Sequence, residues 1–356
     1  MAGMMLLTLL VLALAWANGA NDVAKGVATL AGSGVAKPKA VIALGAVGSV
    51  MGGIVALVWG STLVSVFSKG FLSEGTSATL VFSIGAVFAA AAWVLCATLA
   101  RLPVSTTHGL VGGIAGAAIG TFGIEGLHAP AIASKALMPL LASPLIAIGL
   151  CWVLLLATRY IERRRPQWSP GCCARADFEQ DPFVCVAASE RPSPMARRVW
   201  RALHWLSAGA TSFARGLNDV PKMAALLLPV LALGGAASQF AMVPILAVTI
   251  AMGAGSVWGG YRLLPVLAQR VTRMDERTGL VANLGTSALV LAASPLGLPV
   301  STTHVSTGAL MGVRFGENAR PDTDALKVIL IAWLVTLPVA AGLGYVAARI
   351  AAMLIN

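Results

Sequence analysis

Two short polar motifs, each written twice, carry the residues that could do chemistry. PVSTTH occupies 103–108 and returns at 299–304, and GANDVAKG (19–26) has a counterpart in GLNDVPKM (216–223). In PVSTTH, proline disfavours helix in the residue before it and suits a first helical turn, so a new helix is predicted to start there. The hydroxyls of Ser105, Thr106 and Thr107, with free N–H groups and the positive end of the helix dipole, would suit a tetrahedral oxyanion. Ser301, Thr302 and Thr303 repeat the set. One copy alone would read as ordinary capping. Two copies at matched positions favour two helix tips gripping one anion. His108 and His304 close the motifs and are read first as structural hydrogen-bond partners, with a direct transport role as the alternative.

The second motif supplies charge. Of fourteen acidic residues, only Asp22 and Asp219 fall within otherwise apolar helical sequence. An ionisable side chain there is costly and by default marks function. Asn21 and Asn218 precede them. A helix break beside the neighbouring glycine would offer carbonyl and carboxylate oxygens to a coupling cation such as Na⁺. Lys25 and Lys222 follow three residues later on the same face, so an internal salt bridge is the plainer alternative. Ser105, His108 and Asp22 could also be cast as a hydrolytic triad, but such sites are recognised by geometry, and a nucleophile needs no second copy.

These motifs must be held by membrane-spanning elements. The 356 residues are 58% apolar and 11% charged, with mean hydropathy +0.84. Soluble domains carry about 25% charged residues. Apolar stretches recur at 4–20, 40–67, 78–100, 136–158, 223–260, 279–296 and 328–350, and about 20 apolar residues suffice to span a bilayer. The class is an all-α polytopic membrane protein, not a barrel of short alternating strands. A cleaved signal peptide is not expected, because the first stretch lacks a basic leader and a clear cleavage site. The net charge of +11 does not signal nucleic acid. Nine arginines sit in the single polar stretch 159–201, as in a cytoplasmic connector. Cys96 and Cys151 lie in apolar helices, while Cys172, Cys173 and Cys185 lie in the connector, where cytosol would keep them reduced. Their spacing does not suit zinc.

The chain is a duplication. Asn21 to Asn218 is 197 residues and Pro103 to Pro299 is 196, so two unrelated motifs share one offset. The halves are 1–158 and 202–356, joined by 159–201. With five crossings per half, the STTH segment counted as the fourth, nineteen basic residues fall in cytoplasmic loops and three outside. That bias puts the connector inside and both termini outside. An odd number of crossings inverts the second half, the plan of many secondary transporters. The STTH segments, at about 17 residues, are either crossings or re-entrant.

GANDVAKG, GLNDVPK and the doubled PVSTTH resemble the inorganic phosphate transporter (PiT) family across both halves. The resemblance implies a multi-pass cell-membrane symporter moving inorganic phosphate with Na⁺ or H⁺, and no enzyme. Ser105, Thr106, Thr107, Ser301, Thr302 and Thr303 would hold the anion. Asn21, Asp22, Asn218 and Asp219 would form or border cation sites, with Lys25, Lys222, His108 and His304 auxiliary. No cofactor is implied beyond Na⁺ as coupling ion. Many members read Asn-Ala where this chain reads Lys25-Gly26, so an ammonium stands where one cation site is expected. Some relatives of the family carry sulfate, so a sulfate permease stays as the alternative, and a passive anion channel is a further one. Homodimerisation is left open.

Overall fold

A computed structural model describes residues 1–165, 194–228, 242–265, 268, 275–317 and 323–355. Most of the connector, with Cys172, Cys173 and Cys185, lies outside the described residues. The described chain is helical: α1 (Ala2–Gly32), α2 (Pro38–Trp59), α3 (Ser61–Lys69), α4 (Leu80–Leu99), α5 (Thr106–Phe122), α6 (Ala129–Ile132), α7 (Met138–Arg164), α8 (Pro194–Ala224), α9 (Met242–Gly259), α10 (Glu276–Ala293), α11 (Thr302–Gly316) and α12 (Thr323–Ile355). Among these, six segments are long and apolar enough to cross a membrane: Ala2–Gly32, Pro38–Trp59, Leu80–Leu99, Ala129–Arg164, Met242–Arg262 and Leu330–Ile355. Their outer faces carry exposed Leu, Ile, Val and Trp, such as Leu9, Val58, Leu141, Trp258 and Leu334. Such a surface is at home in lipid.

Local sequence sets the helix starts. Pro38 opens α2, Thr79 caps α4 by accepting from the Phe82 N–H, and Asp275 forms a reciprocal capping box with Thr278 at α10. Ser105 and Ser301 cap α5 and α11, where the prolines of PVSTTH placed the helix starts. At 17 and 15 residues, α5 and α11 are about 22–26 Å long at 1.5 Å per residue, short of a ~30 Å hydrocarbon core.

Helix enters both ends of the expected connector 159–201, since α7 runs on to Arg164 and α8 begins at Pro194. Two expectations need correction. The apolar run 40–67 is two helices, separated at Gly60. No break occurs at the Asn–Asp motifs. α1 continues unbroken through Asn21–Asp22, and α8 continues through Asn218–Asp219 and even Pro221.

Helix pairing is reciprocal. α5 of the first half packs chiefly on α12, and α11 of the second half on α7; α1 packs on α9, and α8 on α2. The crossings of α5 with α12 and α11 with α7 are close because Gly116 and Gly312 face the carbonyls of Ala341 and Ile148, where a Cβ would collide. Small residues permit such backbone approach in lipid. At one end of the bundle, Arg277 ties α10 to α7 through Glu162 (2.9 Å) and to the end of α11 through Glu317 (3.2 Å).

Candidate anion site

The two STTH tips meet in the interior. All six motif hydroxyl residues, with Asn21, Asp22, Lys25, Asn218, Asp219, Lys222, His108 and His304, are buried. The tips are laced together. Thr107 Oγ1 donates to the Val300 carbonyl (3.4 Å), and Thr303 Oγ1 donates to the Val104 carbonyl (2.9 Å). The rings of His108 and His304 lie edge to face, 4.3 Å between centroids, and His304 also packs on Trp333. The histidines therefore form the packed floor between the tips.

The serines behave as caps. Ser105 Oγ accepts from the His108 N–H (3.2 Å) and lies 2.9 Å from His108 Nδ1. Ser301 Oγ accepts from the His304 N–H (3.3 Å). The Asp22 carboxylate is engaged by Lys25, Asn18 and Thr302, so Ser105–His108–Asp22 is not assembled as a triad.

The lysines are placed with near two-fold equivalence. Lys25 Nζ donates to Asp22 Oδ1, the Val104 carbonyl (2.7 Å) and Thr303 Oγ1. Lys222 Nζ donates to Asp219 Oδ1 (3.4 Å), the Val300 carbonyl (2.9 Å) and Thr107 Oγ1 (2.9 Å). Each ammonium thus takes a carboxylate from its own helix, a carbonyl from its own half and a hydroxyl from the other half. The salt-bridge reading is realised in both halves, Lys25 with Asp22 and Lys222 with Asp219.

Asn21 and Asn218 are turned toward the strands of chain that lead into the tips. Asn21 Nδ2 donates to Thr98 Oγ1 (3.0 Å) and the Leu102 carbonyl (3.1 Å), and Asn218 Nδ2 donates to the Val300 carbonyl (3.2 Å). Ser294, the counterpart of Thr98, donates to Asn218 Oδ1 (3.3 Å).

Two members of the site escaped the sequence reading. Asn18 Nδ2 bonds Thr106 Oγ1 (2.9 Å) and stands 3.4 Å from both Asp22 Oδ2 and Asp219 Oδ2, so it joins the two halves. Arg215 is buried and donates to Ser49 and Ser256. Asn18 and Arg215 are 197 residues apart. Aligning the repeats one turn upstream of the motifs would have exposed both.

Two helix N-termini, three buried cations and two carboxylates, enclosed in a multi-pass helical bundle, define a membrane transport protein built to pass an anion. Residues 18–344 match the phosphate transporter family, and the chain belongs to that family. A probable low-affinity inorganic phosphate transporter of Mycobacterium bovis is 28% identical over 352 residues, covering 96% of this chain and 76% of the relative. The corresponding Bacillus subtilis protein is 26% identical, covering 97% of both chains. A solved structure described as the sodium-dependent phosphate transporter superposes with a TM-score of 0.85 at 23% identity over the full length of both chains, which establishes the shared fold.

Proposed function

We propose that the protein is a secondary active transporter that moves inorganic phosphate across the cell membrane, coupled to a cation gradient. The observation that carries this reading is the meeting of two capped helix tips around buried Lys25 and Lys222, with the buried guanidinium of Arg215 one turn before Asp219. Interior charge of this kind is expensive unless an anion is to be held. The family and the named relatives support phosphate over sulfate. Ser105, Thr106, Thr107, Ser301, Thr302 and Thr303, with the N–H groups of Thr106, Thr107, Thr302 and Thr303, form the cradle, since those amides have no partner within their own helices, while the His108 and His304 N–H groups are capped by the serines. Asp22, Asp219 and the adjacent asparagines set the charge against which the anion binds.

The reciprocal helix pairing supports an inverted repeat, and the distribution of basic residues supports a cytoplasmic connector with outward termini. The test is uptake by proteoliposomes of labelled phosphate and labelled sulfate, with Na⁺ and pH gradients imposed separately. Concentrative phosphate uptake that collapses with the gradient is expected. Uptake that only equilibrates would make the protein a channel, and preference for sulfate would make it a sulfate permease.

A further inference from the structure

Whether a metal cation fits the site depends on which of its oxygens are free. A hard monovalent cation needs oxygen ligands, and the natural ones here are the carboxylates of Asp22 and Asp219 with nearby carbonyls and hydroxyls. One oxygen of each carboxylate is taken by an ammonium, and Asp22 Oδ2 and Asp219 Oδ2 each stand 3.4 Å from Asn18 Nδ2. Lys25 Nζ occupies the position facing Asp22 Oδ1, the Val104 carbonyl and Thr303 Oγ1. Lys222 Nζ occupies the equivalent position facing Asp219 Oδ1, the Val300 carbonyl and Thr107 Oγ1. An ammonium has three donors, and in each case all three meet oxygen. Asn21 Nδ2 turns away to Thr98 Oγ1 and the Leu102 carbonyl, whereas Asn218 Nδ2 adds a further donor to the Lys222 cage, at Asp219 Oδ1 (3.0 Å) and the Val300 carbonyl (3.2 Å). Asn18 Oδ1 and Asn21 Oδ1 are buried without a hydrogen-bond partner, but both are neutral amide oxygens within two turns of the Lys25 ammonium on the same helix.

Charge points the same way. Counted as ionised, the interior holds Asp22 and Asp219 against Lys25, Lys222 and Arg215, one positive charge in excess. A sodium ion would double that excess before any anion arrived, in surroundings where unpaired charge is costly. A single monovalent anion neutralises the site as it stands. The residues present do not fit a sodium ion.

We propose that Lys25 and Lys222 are tethered replacements for coupling cations, so that this transporter binds phosphate without Na⁺ and leaves the proton as its coupling ion. The inference rests on the phosphate-transporter reading for its substrate, but the oxygen cages can be tested without phosphate. Purified protein is compared in sodium chloride and choline chloride at equal ionic strength, by thermal melting and by binding of labelled inorganic phosphate. The wild type is expected to melt at the same temperature in both salts and to bind phosphate equally well. Lys25→Asn and Lys222→Asn each vacate a cage. Each variant should gain a sodium-specific rise in melting temperature and bind phosphate about tenfold more tightly with Na⁺ than without, within the usual range of coupling between two ligands.

A wild-type protein that melts higher in sodium, or binds phosphate about tenfold better in it, overturns the proposal. So do monodisperse variants that show no sodium response, which would leave the lysines as ion-pair partners only. If neither variant folds, the wild-type comparison decides alone. Wild type that binds no phosphate in any medium refutes the transport reading, while the melting comparison still decides whether the cages accept sodium.

Discussion

The Lys25 and Lys222 sides of the site are alike at the ammonium and unlike one turn beyond it. Beside Lys25 a small cleft is lined by Thr29, Asn283, Thr286, Ser306 and Thr307, with Asn283 Nδ2 donating to Thr29 Oγ1 (2.8 Å). The positions 196 or 197 residues away in the other half are Leu226, Val87, Ala90, Leu110 and Val111, all fully buried in the main apolar core. The two sides share the cage and differ in its approaches. Polar lining offers water the partners it needs, and an apolar layer does not. In this conformation the Lys25 side keeps a small cleft with polar groups in its wall, and close packing fills the Lys222 side. By the topology proposed above, the polar side is cytoplasmic.

The deepest test of the shared cage is to remove its charge. Asp22→Asn leaves Lys25 without its counter-charge and raises the interior excess from one to two; Asp219→Asn does the same to Lys222. Removing one partner of a buried pair costs about 3–5 kcal/mol, so both variants should melt well below the parent and lose phosphate uptake by more than about a hundredfold. The double variants Asp22→Asn/Lys25→Met and Asp219→Asn/Lys222→Met should recover much of the melting temperature without recovering uptake. If one half tolerates its single substitution and the other does not, the two cages are not equivalent and the comparison fails at its centre.

The unlike approaches can be read with cysteines introduced into a background lacking the native ones. Thr286→Cys and Ser306→Cys line the cleft, whereas Ala90→Cys and Leu110→Cys are their counterparts. A hydrophilic thiol reagent needs a thiolate in contact with water. The cleft positions should react on the order of a hundredfold faster, and from the cytoplasmic face of inside-out vesicles. Equal rates in the two sets would mean that the Lys222 side is as open as the Lys25 side. Reaction from the outer face alone would reverse the orientation inferred from the basic residues.

Much of this was legible in the sequence because the repeat writes each functional position twice. The helix starts at Ser105 and Ser301 followed from proline and capping chemistry, and the interior lysine–aspartate pairs followed from their three-residue spacing. The reciprocal hydroxyls were not legible, since Lys25 with Thr303 and Lys222 with Thr107 depend on how the halves cross. The expected break at Asn21–Asp22 was a misreading. Asparagine and glycine weaken a helix, but α1 is clamped on several sides by α4, α8 and α9, and packing outweighs the local preference. Asn18 and Arg215 lie just outside the two motifs, one immediately before GANDVAKG and the other immediately before GLNDVPKM, so the motifs alone do not bring them into view.

The smallest effects should come from the caps, and there the two halves are expected to rank in opposite order for stability and for affinity. Losing a serine cap costs about 1 kcal/mol. Ser105→Ala loses the cap and also strips His108 Nδ1 of its partner at 2.9 Å, and a buried polar atom left bare adds a further cost of about 1–3 kcal/mol. Ser105→Ala should therefore melt lower than Ser301→Ala. Affinity should run the other way. With His108 Nδ1 accepting, the Ser105 proton is committed to the ring, whereas the Ser301 hydroxyl, which accepts from His304 N–H, keeps its proton for the anion. Ser301→Ala should then weaken phosphate binding roughly tenfold, the loss of one hydrogen bond to a charged group, and Ser105→Ala much less. Equal losses of affinity would mean that His108 carries its proton on Nδ1 and that both serines face the anion alike. Unchanged affinity in both would reduce the two serines to helix caps and leave the threonines to hold the substrate.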